Sequence, residues 1–213
     1  MKYLNSLPVF IAVILASCAS PQKTAVLLCD KPPMGYNSYD SYGDFLNEEQ
    51  AIKLIDVMAE KYLRFGYEYF VIDNGWFTNK KIDQIPGSQI NEKYFLNLDE
   101  NGLPEPSKVY FPNGIKVLAD YAHEKGLKFG LHLMRGALKQ AAEQNCKVKG
   151  TGILIKDIID TLSICTWADF TVGIDMSKPG GSEYYNSLIN KMASWNVDFI
   201  KYDDLTGMPK EIY

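Results

Sequence analysis

The feature that most constrains the fold is a helix followed at once by a strand, three times over. Glu48 to Leu63 carries apolar residues at Ala51, Ile55, Met58 and Tyr62, with Ile52, Ala59 and Leu63 beside them. Gly114 to Lys125 repeats the pattern with Ile115, Leu118, Ala119 and Ala122, and Glu183 to Trp195 with Tyr185, Leu188, Ile189 and Met192. This spacing is helical. Asn47 with Gln50 reads as a capping box and Ser182 as an N-cap, while Gly66 and Gly126 lie just past two helix ends. The apolar runs that follow, Tyr67 to Asp73, Leu127 to His132 and Val197 to Asp203, are short enough to be strands. A further strand is expected near Met34 to Ser38. Strands alternating with helical crossovers imply a parallel sheet.

The connections are unequal. Helix-to-strand links are very short, whereas about forty residues follow Asp73 and about fifty follow His132, well beyond usual connection lengths. The elaboration therefore gathers at the carboxyl ends of the strands. Parallel barrels and doubly wound sheets both build their sites on that face, so connection length does not choose between them.

Those strand ends are polar. Side chains alternate along a strand, so Lys201 and Asp203 share a face at the end of the last one. An ammonium beside a carboxylate keeps it ionised. An ionised, positioned carboxylate suits covalent glycoside cleavage, although a Lys-x-Asp pair by itself reads as a strand-end ion pair. Asp73 and Asn74 end the second strand, with Trp76 close behind; His132 ends the third, and Tyr39 lies just past the first. Carboxylates among tryptophan and tyrosine match the hydroxyls and C–H faces of sugars, whereas the two rings taken alone would read as packing. A metal site built from Asp73, His132, Asp203 and Asp204 is the rival use, but the chain has 2 histidines and His123 falls within a helix. No metal or cofactor is expected.

The ends of the chain carry separate signals. Met1 and Lys2 precede an apolar run from Leu7 to Ala16 that ends in Leu15-Ala16-Ser17-Cys18. Residues 1–18 are expected to be a signal peptide of lipoprotein type, with Cys18 lipidated, and 19–30 a linker to a partial catalytic barrel over 31–213. A plain secretory signal cut nearby is the alternative, and either exports the protein: to the periplasm or outer membrane as a lipoprotein, otherwise secreted. Membrane attachment would then run through the lipid on Cys18. Of the remaining cysteines, Cys29, Cys146 and Cys165, an odd thiol is left over, and pairing of Cys146 with Cys165 stays open. A net charge of −4 gives no reason to expect a nucleic-acid partner.

Four motifs, in order, resemble a known family. Pro32-Pro33-Met34-Gly35-Tyr36-Asn37-Ser38-Tyr39, then Gly66-Tyr67-Glu68-Tyr69-Phe70-Val71-Ile72-Asp73-Asn74-Gly75-Trp76, then Phe111-Pro112-Asn113-Gly114-Ile115-Lys116, then Trp195-Asn196-Val197-Asp198 through Lys201-Tyr202-Asp203 are similar to signature segments of the α-galactosidases (melibiases) of glycoside hydrolase family 27. The resemblance implies an α/β fold of the (βα)8 TIM-barrel type, here about its first four units. It implies a retaining glycoside hydrolase acting on α-galactosides, with Asp203 as nucleophile, Lys201 beside the substrate, and Tyr39 and Asp73 at sugar-binding positions. Asn74 stands where the family has a second aspartate, His132 where it has tyrosine, and Leu205 where it has a disulfide cysteine. The segment Gly130-Leu131-His132-Leu133-Met134-Arg135-Gly136 and the later Cys165-Thr166-Trp167 resemble a bacterial subgroup, and the three changes around the sugar pocket leave β-L-arabinopyranosides as an alternative substrate. The family's acid/base aspartate comes from a later strand, and none of the acidic residues before Asp203 matches it. The expectation is a chain with little hydrolase activity by itself, or a sugar-binding remnant.

Overall fold

The computed structural model describes residues 31–79 and 95–205, and everything below concerns the unit Pro33–Tyr213. Cys18, the signal segment, the linker and Cys29 lie outside the described residues. In chain order the elements are β1 (Gly35–Asn37), α1 (Tyr39–Tyr42), α2 (Glu48–Val57), β2 (Tyr69–Ile72), α3 (Ile115–Glu124), β3 (Lys128–Met134), β4 (Ala137–Leu138), α4 (Lys139–Glu143), α5 (Ile155–Ile158), β5 (Ile159–Ile164), β6 (Thr171–Ile174), α6 (Gly181–Ser194) and β7 (Phe199–Asp203).

Strands β1, β2, β3 and β7 form one parallel sheet in that spatial order. The order is decisive. A doubly wound sheet reverses direction at a switch point, whereas here each helical crossover moves the chain one place further the same way, as in a barrel. The register then stacks the strand ends in layers. Asn37 lies opposite Val71, Val71 opposite Gly130, and Gly130 opposite Phe199. One pleat further on, His132 lies opposite Lys201. Gly35 is required where β1 meets β2, because a Cβ there would stand 2.0 Å from the Tyr69 carbonyl oxygen.

The helices follow their sequence signals closely. Asn47 Oδ1 accepts from the Gln50 amide and Gln50 Oε1 from the Asn47 amide, at 2.9 and 3.0 Å, completing the capping box of α2. The periodic stretch expected as one helix to Leu63 is α-helical only to Val57. It continues as a π turn over Met58–Tyr62 and a 3-10 turn over Leu63–Phe65, closed by Gly66 in the left-handed region. In α6 the N-cap is Gly180 rather than Ser182, because the Glu183 carboxylate reaches back to accept from the Gly180 amide at 3.0 Å. The face that α6 buries is Tyr184, Leu188 and Met192, and Ile189 is exposed.

The long connection after β3 is not plain loop. It folds into a small antiparallel sheet in the order β4-β6-β5, with α4 and α5 beside it. Its strands are short and irregularly buried, so they carry too little alternation to be read locally. Cys146 and Cys165 are both free thiols, so the pairing left open by their spacing is not formed.

Candidate active site

Four strand ends converge on one cleft. Burial forces the Asp73 carboxylate, just beyond β2, to find partners: Oδ2 accepts from Lys201 Nζ at 2.8 Å and from Asn37 Nδ2 at 2.7 Å, and Oδ1 accepts from the Asn74 amide at 2.8 Å. Its own amide donates to Ser38 Oγ at 2.9 Å, which fastens β2 to β1. On β7, Lys201 and Asp203 do point the same way. Lys201 Nζ stands 3.3 Å from Asp203 Oδ2, and His132 Nε2 reaches that oxygen from β3 at the same distance. One ammonium therefore bridges two carboxylates, and one imidazole lies beside both, 3.9 Å from Asp73 Oδ1.

The charges follow from these contacts. Burial by itself would raise the Asp203 carboxyl, but the Asp204 amide and the Lys201 and His132 side chains outweigh it and hold it below the usual range. The same contest lowers Asp73, where burial is opposed by His132, Lys201 and the donors from Asn74 and Asn37. Burial pushes His132 down more strongly than the two carboxylates raise it, so the ring enters the site neutral, and Lys201 is the positive charge. The amide that serves Asp203 depends on an unusual backbone. Asp204 has a φ of +61°, which turns its N–H back to Asp203 Oδ1 at 2.8 Å.

Asp203 and Lys201 remain open to solvent, with 35% and 39% of their side chains exposed. Tyr39 stands at the rim, 47% exposed, its ring centroid 6.0 Å from Lys201 Nζ. Asn74 lies against Asp73 through its backbone and is partly buried. Trp76 is a correction. It is 0% exposed, so it offers no face to a sugar. Instead Nε1 donates to the His132 carbonyl at 2.8 Å, and the ring packs edge-on against Trp195, centroids 5.9 Å apart. It is a core residue that locks the His132 strand end in place.

Other residues hold the site from outside. Asn37 belongs to the first motif and could have been singled out there, since its position at a strand end matches that of Asp73. Arg135 lies in the Gly130 to Gly136 segment, which gave no sign of a role for it at the site. Its guanidinium is buried and donates to the Asp204 carbonyl at 3.1 Å, to Asp204 Oδ2 at 2.9 Å and to Ser163 Oγ on β5 at 2.6 Å. The Asp204 carboxylate is thus committed to Arg135 and is separate from the Asp73, His132 and Asp203 cluster, which dissolves the four-ligand metal set.

Residues 37–146 match the family profile for alpha galactosidase A. The chain is 28% identical to alpha-galactosidase A from Cellvibrio japonicus over 195 residues, 90% of this chain and 34% of that protein, and 29% identical to the Cyamopsis tetragonoloba alpha-galactosidase over 178 residues, 83% of this chain and 31% of that protein. The chain thus spans about a third of the length of these curated relatives. It is similar to the solved structure of a family 27 β-L-arabinopyranosidase from Geobacillus stearothermophilus, with a TM-score of 0.78 and 40% identity over 83% of this chain and 41% of that one; a variant of that protein was solved in complex with arabinose. With the profile matching half of its residues and barrel neighbours over most of its length, the chain belongs to the melibiase family of alpha galactosidase A, in glycoside hydrolase family 27.

Proposed function

We propose that this chain carries the nucleophile of a retaining glycoside hydrolase acting on α-galactosides. The observation that carries the reading is the convergence of Lys201 and His132 on one oxygen of Asp203, each at 3.3 Å, with Asp73 bridged to it through Lys201. The Asp203 carboxylate attacks the anomeric carbon, the glycosidic C–O bond breaks, and the leaving oxygen departs with the electron pair. Water then cleaves the glycosyl ester and restores the configuration. Lys201, Asp73, Asn74 and His132 hold sugar hydroxyls, and Tyr39 covers the sugar from the rim. Trp76 acts only by placing His132. The same reading includes export, with lipid on Cys18.

A second specificity, for β-L-arabinopyranosides, is supported by the greater identity to the Geobacillus arabinopyranosidase than to the plant and Cellvibrio α-galactosidases. The two sugars differ at the hydroxymethyl group, so both belong in one test. Dinitrophenyl glycosides leave without a proton, so glycosylation of Asp203 requires no acid residue. Incubation with the dinitrophenyl α-galactoside and β-L-arabinopyranoside should add one glycosyl unit to the peptide that contains Asp203, seen by mass spectrometry. Asp203→Asn should abolish it. An adduct that persists in Asp203→Asn would sink the nucleophile assignment.

A further inference from the structure

Arg135 and Asp204 stand just beyond the ends of β3 and β7, and their contact does more than balance charge. The β3–β7 ladder runs one step past the strands, where the Arg135 amide donates to the Asp203 carbonyl at 3.2 Å. The Arg135 side chain then folds over the next residue. Nε donates to the Asp204 carbonyl at 3.1 Å and Nη2 to Asp204 Oδ2 at 2.9 Å. One planar fork thus holds both the carbonyl and the carboxylate of a single residue. That residue has a φ of +61°, where a Cβ is crowded and which a free chain seldom visits. The N–H turned by that conformation donates to Asp203 Oδ1 at 2.8 Å.

The third arm of the guanidinium reaches the small antiparallel sheet. Nη1 donates to Ser163 Oγ at 2.6 Å, and both groups are buried. Ser163 arrives there through a bulge. Strand β5 pairs with β6 at Asp160–Gly173 and again at Ile164–Val172, so no residue of β6 lies opposite Thr161, Leu162 or Ser163. Asp160 Oδ1 accepts from the Leu162 amide at 3.0 Å and closes the bulge, which leaves Leu162 facing solvent and Ser163 turned inward. Bulges re-aim side chains in this way beside active sites. Gly173 makes room for the result: a Cβ there would stand 2.5 Å from Ser163 Cβ and 2.9 Å from Arg135 Nη1. An ion pair by itself requires neither the bulge nor the glycine.

We propose that Arg135 is a positioning residue of the nucleophile: seated on Ser163 of β5, it holds Asp204 in the left-handed conformation and so keeps the Asp204 amide on the Asp203 carboxylate. The antiparallel sheet thereby takes part in glycosylation through the backbone of Asp204. This rests on the assignment of Asp203 as nucleophile for its consequence in catalysis, and on the structure alone for the clamp. The Asp204 amide is foremost among the groups that hold Asp203 below the usual carboxylate range against burial, ahead of Lys201 on β7 and His132 on β3. Releasing the clamp therefore has a sign: the Asp203 carboxyl rises, and less of it is ionised at acid pH. A residue that only supported the fold would lower stability and leave that titration where it was.

Removing Arg135 alone would strand the Asp204 carboxylate, so the experiment compares two double variants of the full chain that lack both charges. Arg135→Met with Asp204→Gly leaves a residue that takes a positive φ freely; Arg135→Met with Asp204→Ala leaves one that does not. In 1H–15N NMR the amide of residue 204 should follow the ionisation of Asp203 in wild type and in the glycine variant, and cease to follow it in the alanine variant. The Asp203 carboxyl carbon should then titrate at higher pH. Glycosylation of Asp203 by the two dinitrophenyl glycosides should be about tenfold slower with alanine than with glycine, the population lost when a Cβ opposes the left-handed conformation. Ser163→Ala keeps both charges, does not depend on the double variants folding, and should move the Asp203 midpoint in the same direction. Equal titrations and rates in the two double variants, or a wild-type Asp203 midpoint in Ser163→Ala, would overturn the proposal. An amide that follows Asp203 in wild type and not in the alanine variant, with no glycosyl adduct on any chain, upholds the clamp and counts against the glycosidase assignment instead.

Discussion

Lys201 is the residue on which the site's charge balance turns. It is the one ammonium within 3.3 Å of both Asp73 and Asp203 among the described residues, and with the Asp204 amide at Asp203 and His132 at Asp73 it holds both carboxylates below their usual range against the pull of burial. Replacing it with methionine should therefore raise both. The acid limb of Asp203 glycosylation should move to higher pH in Lys201→Met, measured as adduct formation with the dinitrophenyl galactoside between pH 4 and 7. Asp44 has the opposite sign. Its folded value of about 6 exceeds the ordinary 3.8, so between those values the folded chain binds more protons than the unfolded one. Stability must fall as pH rises through that window and stay lower above it, by on the order of 2–3 kcal/mol. Urea denaturation should show Asp44→Asn gaining on wild type from pH 4 to 7; equal midpoints at both pH values would contradict the assignment.

At the level of elements, the cleft depends on contacts that tie strand ends together. Trp76, from the turn after β2, donates to the His132 carbonyl on β3 and packs on Trp195 after α6. Trp76→Phe removes the donor and leaves a buried carbonyl unpaired, a loss of about 1–3 kcal/mol. The expected result is a lower urea midpoint with an unchanged slope. Because His132 shifts with its strand end, glycosylation of Asp203 should slow in parallel. Arg135 has the same standing between β3, β5 and the residue after β7. Arg135→Ala strands a buried Asp204 carboxylate, which costs about 3–5 kcal/mol, and releases the amide that serves Asp203.

At the scale of the whole fold, among the described residues, the parallel sheet has β1 at one edge and β7 at the other. Apolar surface lies beside both. Near β1, Val57, Tyr62, Phe65 and Tyr67 are exposed around a hollow of about 580 Å3. Near β7, Ile189, Met176 and Leu205 line a second hollow of about 700 Å3 with Tyr185 and Tyr202. Patches of this kind bind apolar dyes and promote association. The 213-residue chain should enhance anilinonaphthalene sulfonate fluorescence while its aromatic circular dichroism is still native-like, and Phe65→Glu with Ile189→Glu should reduce that signal without lowering the urea midpoint.

What could be read without the structure was whatever repeats locally. Helical spacing placed α2, α3 and α6 to within two residues at most ends, and alternation put Lys201 and Asp203 on one face, because both periods are set by backbone geometry alone. The capping box was legible for the same reason, being four residues long. The sheet order, which decides between a barrel and a doubly wound sheet, was not, since spacing says nothing about which strand lies beside which. Trp76 looked like a sugar platform next to Asp73 and proved to be core, because its direction is set by Trp195 and His132, more than fifty residues away in sequence. The role of Arg135 exists only where distant segments press together, β5 against the end of β7. The sequence by itself determined which polar groups stand at strand ends. Tertiary packing decided which of them share a cleft, because charge, burial and missing partners are properties of neighbours and not of residues.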